Sequence, residues 1–165
     1  MNVYEFGNRE NPIIMLFPGT LCYRKGNFGH VIDELSKHFF VAAVAYTGFD
    51  EKDTESYVSF EDELGRIEKY VNDNYGCSIC AAYGCSLGGS FAAQLTARHR
   101  IHIKYSIIGS SDMDQSGKIT ADIMAALMVK LTFLYIRADI DRTLCKSALN
   151  KKWQTPIHIT VLSYQ

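Results

Sequence analysis

Residues 12–17 read Pro-Ile-Ile-Met-Leu-Phe, an unbroken apolar run that Pro18 and Gly19 stop. A half-exposed strand would alternate. A run that is apolar at every position instead predicts a strand buried on both faces of a parallel sheet. A loop over 20–26 follows, after which Phe28, Val31, Ile32, Leu35 and Phe39 recur at helical spacing and predict an amphipathic helix. Residues 40–46 are again apolar throughout, and a polar segment over 47–55 leads to a second helix. Ser59 with Asp62 three residues later is its capping signature, Phe60, Leu64, Ile67 and Val71 form its stripe, and Gly76 suits its stop. Residues 78–83 predict a third strand, 86–98 a third helix and 101–108 a fourth strand.

This alternation of strands and helices implies the α/β class, as a doubly wound, mostly parallel sheet of right-handed βαβ units. No internal repeat, low-complexity tract or linker composition divides the chain. Beyond Ser110 the pattern changes. Residues 118–131 read as a helix carrying Ile119, Ile123, Met124, Leu127, Met128 and Leu131, the stretch to Lys152 is weakly periodic, and 155–162 predicts one last strand. The expected organisation is a core over 1–112, a helical segment over 113–152 and a further core strand within 153–165.

Composition narrows the function classes. The chain of 165 residues is 47% hydrophobic and 21% charged, an ordinary globular balance. With a net charge of −1 and mixed signs along the chain, it offers no broad basic face, so nucleic acid is not an expected partner. No apolar run approaches the roughly 20 residues that span a bilayer. The polar start lacks the charged and apolar regions of a secretory leader, and the five cysteines are an odd set, so a cytoplasmic protein with reduced thiols is expected. Sequence alone leaves the oligomeric state unknown.

The chemistry concentrates in Gly84-Cys85-Ser86-Leu87-Gly88-Gly89, set between a predicted strand and a predicted helix. G-x-S-x-G in that context places the serine on a tight turn with its Oγ above the sheet, flanked by glycines that remove Cβ clashes. The helix that follows aims its N-terminal N–H groups and dipole at negative charge developing nearby. The plainer alternative is a strand-to-helix turn with a capping serine. A phosphate-cradling turn is the rival from another class, but the segment lacks both the Gly-Lys-Ser/Thr ending of a P-loop and the full G-x-G-x-x-G pattern. Cys77 and Cys80 have C-x-x-C spacing, yet they lead into a strand rather than a helix, so buried or inert thiols are expected. No cofactor or metal is expected.

These residues resemble the nucleophile elbow of the α/β-hydrolase family, with Ser86 as the nucleophile. Phe17-Pro18-Gly19-Thr20, after the first buried strand, is similar to that family's oxyanion loop, with Pro18 where the family usually has His. Tyr4, Gly7 and Pro12 before it are similar to the family's approach segment. The resemblance covers about residues 2–112, the N-terminal half of the family's core. It implies the N–H groups of Thr20 and Leu87 as oxyanion donors, and hydrolysis of a small-molecule ester, thioester or amide through an acyl-serine. It also implies a lid-like role for the helix after Ser111, and an acid after a late strand, for which Asp112 is the candidate.

The family completes its triad with a histidine beyond the last strands, where this chain ends. A serine hydroxyl needs such a base to attack at neutral pH. His38, His99, His102 and His158 sit at helix ends or strands, and His30, early in the first helix, is the one candidate for a place near Ser86. A fragment or frameshifted product of a longer hydrolase is therefore expected. The alternative function is a catalytically incompetent remnant that binds acyl ligands. Arg24 and Lys25 beside the loop could meet an acidic substrate group, or be solvated.

Overall fold

The structure, a computed structural model, describes residues 1–20, 22–50, 53–111 and 126–127, and the backbone of 159–163. Contacts divide the chain into two units, Met1–Asp112 with Ile157–Gln165, and Met113–Pro156. The second is described only at Ala126 and Leu127, which are helical. The rest of the helix expected over 118–131, the acid candidate Asp112, Cys145 and His158 lie outside the described residues.

The first unit runs β1 (Asn2–Phe6), β2 (Ile13–Phe17), α1 (Arg24–Leu35), β3 (Phe40–Ala45), α2 (Phe60–Tyr75), β4 (Ser78–Cys85), α3 (Leu87–Arg98), β5 (His102–Gly109) and β6 (Ile159–Ser163). Its strands form one sheet in the order β1-β3-β2-β4-β5-β6. The four central strands are parallel: Ile14 lies opposite Val41 on one side and Ala81 on the other, and Tyr83 opposite Ile107. Both edges are antiparallel, with Tyr4 opposite Ala43 and Ile107 opposite Val161. The last strand expected from sequence is thus present, displaced to 159–163, but it runs against β5 instead of extending the parallel series. A mostly parallel sheet with an antiparallel edge strand is a common arrangement.

The continuous apolar runs are explained by burial on two faces. Alternate residues Ile14, Leu16, Val41 and Ala43 pack with Phe28 and Ile32 of α1. Their neighbours Met15, Phe17, Ala42 and Val44 face the other way, onto Leu64, Ile67 and Val71 of α2 and Phe91, Ala92 and Leu95 of α3. Each large side chain fully buried this way contributes about 1.5–3 kcal/mol.

Helix α2 has the ends its sequence announces, with Asp62 N–H donating to Ser59 Oγ at 3.1 Å and Gly76 in the left-handed region at φ 61°. Helix α1 starts at Arg24, inside the segment expected to be loop, because the chain turns tightly after β2 and the Cys22 N–H donates to Gly19 O at 3.2 Å. It stops at Leu35, short of Phe39, where the Leu35 carbonyl accepts from the His38 and Phe39 N–H groups. At the far end of α3, Arg98 Nε lies 2.7 Å from the buried Glu68 carboxylate of α2, off the axis of a good hydrogen bond, and Arg100 lies 3.2 Å from it.

Candidate functional site

Ser86 stands between β4 and α3 with φ 53° and ψ −120°, a left-handed backbone that a non-glycine residue adopts at a cost of about 1–3 kcal/mol. The turn is held by backbone bonds on both sides. Ser86 N–H donates to Gly109 O at 2.8 Å, and Ser86 O accepts from Gly89 N–H at 2.8 Å and Ser90 N–H at 3.3 Å. Ser86 is exposed and its side chain makes no cap bond to the helix it precedes. A capping serine would use its Oγ on the N–H groups of the first turn. This one makes no such bond and stands exposed.

The flanking glycines are required by close approach. A Cβ on Gly84 would fall 1.9 Å from Gly88 O, one on Gly88 2.0 Å from Phe17 O, and one on Gly89 2.5 Å from Ser111 Cβ. The elbow and the end of β2 therefore touch backbone to backbone. Ser111 completes the contact, its Oγ 3.1 Å from that of Ser90 in the first turn of α3.

That packing brings the loop after β2 to the nucleophile candidate. A methyl on Gly19 would lie 3.6 Å from Ser86 Cβ and 3.3 Å from Cys85 O. Gly19 N–H is taken by Asn27 Oδ1 at 2.9 Å, and Pro18 O accepts from the buried Tyr46 hydroxyl at 3.1 Å. Thr20, the next residue, is exposed. Leu87 is the first residue of α3, where an N–H has no acceptor inside the helix. Around the loop stands a group of rings: Tyr46 stacks on Phe91 at 4.7 Å between centroids, and Phe60 and Phe17 lie 4.2 and 6.5 Å from the same ring. Desolvation by burial, then the nearby Glu63 charge, keep the Tyr46 hydroxyl protonated well above its ordinary range. Glu63 itself is buried and accepts from the N–H and hydroxyl of Thr47, both at 2.8 Å, which fixes the end of β3 against α2.

The structure brings Ser86, Leu87 and the loop carrying Thr20 into one place and puts His38, His99 and His102 elsewhere. His30 is exposed on α1, six residues and about 9 Å of helix rise beyond its start. His99 caps the far end of α3, about 18 Å of rise from Leu87. His102 begins β5, about 23 Å along the strand from Gly109. His38 precedes β3 and so lies at the same remote end of the sheet. Arg24 turns toward β1, its guanidinium 3.3 Å from the centre of the Tyr4 ring.

Among the described cysteines, Cys22, Cys77, Cys80 and Cys85 are free thiols, and Cys77 is exposed rather than buried. Burial and then the nearby Cys22 push the Cys85 thiol up, which keeps it protonated and unreactive beside Ser86. Among the described residues no group of His, Cys, Asp and Glu could hold a metal ion, and no helix is long and apolar enough to cross a membrane. Asn27 and Tyr46, which grip the loop, escaped the sequence reading. Their signal is a side-chain bond to a backbone group 8 and 28 residues away, which no local pattern encodes.

No protein-family model and no curated protein sequence matches the chain. Solved structures do. A protein described as belonging to the α/β-hydrolase family, from Desulfitobacterium hafniense, superposes with a TM-score of 0.60 and 23% identity over 64% of this chain and 42% of its own. A hydrolase from Pseudomonas aeruginosa PA01 gives 0.63 and 15% over 77% and 48%, and an enol-lactonase from Burkholderia xenovorans LB400 gives 0.53 and 22% over 61% and 40%. The chain thus spans less than half the length of these structures. The sheet order, the strand–helix turn at Ser86 and these superpositions agree on one conclusion: this chain has the fold of the α/β-hydrolase family.

Proposed function

We propose that Ser86 is the nucleophile of a cytoplasmic serine hydrolase that cleaves a small-molecule ester, thioester or amide through an acyl-serine intermediate. The observation that carries this reading is the exposed Ser86 at φ 53°, its hydroxyl unused by the helix it precedes. In the reaction the Ser86 Oγ attacks the carbonyl carbon and its proton passes to a base. The alcohol, thiol or amine leaves with a proton, and water then releases the acid. Thr20 and Leu87 N–H groups would hold the oxyanion, each donor worth about 10²–10³ in rate. The proposed acid is Asp112, which follows β5. The free thiols support a reducing compartment.

The phosphate-cradling alternative gains nothing from the same glycines. Close approach to Gly88 O, Phe17 O and Ser111 already accounts for them, so they give a phosphate site no separate support.

A second reading has its own support. Among the described residues His38, His99 and His102 lie at ends of their elements remote from Ser86, and His30 is exposed on α1 with no hydrogen bond to it. A remnant with a preserved pocket and no base would bind acyl ligands without turning them over. A fluorophosphonate probe separates the two: Ser86 is labelled in the wild-type chain and not in Ser86→Ala. A folded chain that resists the probe would refute the hydrolase and leave the ligand-binding remnant.

A further inference from the structure

We infer that Asn27 and Tyr46 are positioning residues that clamp the Pro18–Gly19 peptide from both ends and so fix the loop that faces Ser86. The inference rests on the reading of Ser86 as nucleophile and of that loop as its oxyanion loop. Pro18 O and Gly19 N–H belong to a single peptide plane and point to opposite sides of it. Tyr46 donates to the first at 3.1 Å and Asn27 accepts from the second at 2.9 Å. With both ends bonded the plane cannot flip without breaking two bonds.

The preceding carbonyl, Phe17 O, is pinned sterically where Gly88 lacks a Cβ. Gly19 is the loop's free joint, since a glycine left to itself samples both signs of φ. The two side chains remove that freedom at the residue nearest Ser86. They also consume the Gly19 N–H, so the next N–H along, that of Thr20, is the loop's donor for an oxyanion. Each clamp comes from a firm support. Asn27 lies in the first turn of α1, and Tyr46 directly follows β3 and stacks on Phe91. Donors held in place before the reaction cost no reorganisation during it, which is where such a clamp acts on rate.

The test uses amide hydrogen exchange and the rate of Ser86 labelling by a fluorophosphonate on the full chain. Asn27→Leu removes the acceptor at nearly constant size, Asn27→Asp keeps it, and Tyr46→Phe removes only the hydroxyl. Asn27→Leu should raise Gly19 exchange and slow labelling, each by about tenfold, as expected for loss of one hydrogen bond. Asn27→Asp should keep Gly19 protected. Tyr46→Phe should raise Gly19 exchange too, although it does not touch that N–H, while the Ser86 N–H bonded to Gly109 O stays protected. Unchanged Gly19 exchange in Asn27→Leu overturns the inference, as does wild-type labelling in both variants once Gly19 is released. If the wild-type chain resists the probe, the nucleophile assignment fails, and Gly19 exchange alone decides whether the clamp exists.

Discussion

The two ends of the sheet carry opposite arrangements. At the remote end, a cleft of about 380 Å³ is lined by residues that include His102, Lys104, Ser78, Cys80 and Glu10. It holds most of the side-chain types that acid–base and nucleophilic chemistry uses, in ordinary strands and loops, open to water. At the Ser86 end, the proposed chemistry rests, among the described residues, on one hydroxyl and a few backbone N–H groups. There the chain spends strain at Ser86, three glycines whose Cβ positions are occupied, and two side chains that bond a single peptide. Residue types do not make a site. Convergence does, and convergence is visible as backbone forced close to backbone.

Substitutions at the two ends test that contrast. The largest effect is expected of Gly88→Ala, whose methyl would enter the Phe17 carbonyl at 2.0 Å. Overpacking against backbone that cannot yield should cost about 3 kcal/mol or more in urea unfolding, and a loss under 1 kcal/mol would show that the contact is looser than described. Ser86→Gly should move stability the other way. Relief of the strained φ, less the extra chain freedom of glycine, leaves a gain of about 1 kcal/mol together with loss of all labelling. A destabilised Ser86→Gly chain would mean that the turn is not strained. Tyr46→Phe should lose about 1 kcal/mol, the worth of one hydrogen bond, with its ring packing kept. The smallest effects belong to the remote cleft. His102→Gln and Lys104→Ser should each fall within about 0.5 kcal/mol of wild type and leave Ser86 labelling unchanged, since both side chains are exposed. A strong effect there would give that end a role the contrast denies it.

What could be read from sequence follows the range of the forces involved. The two-sided burial of residues 13–17 and 40–45 shows as continuous apolar runs, and α2 announces itself through Ser59, its stripe and Gly76. The elbow is legible because its steric demands fall on consecutive residues. The start of α1 is not, since Tyr23 at its N-cap offers no capping bond. The direction of β6 depends on pairing with a strand some 50 residues earlier, and the clamp on Gly19 depends on contacts that only the folded sheet creates. The φ of Ser86 lies between: glycines around a serine suggest a sharp turn, but only in the folded chain is it evident that the serine itself carries the strained angle.

The rings around Phe91 bear on how this region comes apart. Phe17 ends β2, Tyr46 follows β3, Phe60 begins α2 and Phe91 sits in α3, so one aromatic column joins four elements at the level of Ser86. Phe91 is the partner the other three share, so α3 cannot lift without losing all three ring contacts. The amides of these four elements should then exchange through one shared opening close to global unfolding, as a single cooperative foldon, while the α1 face with its smaller cluster opens sooner.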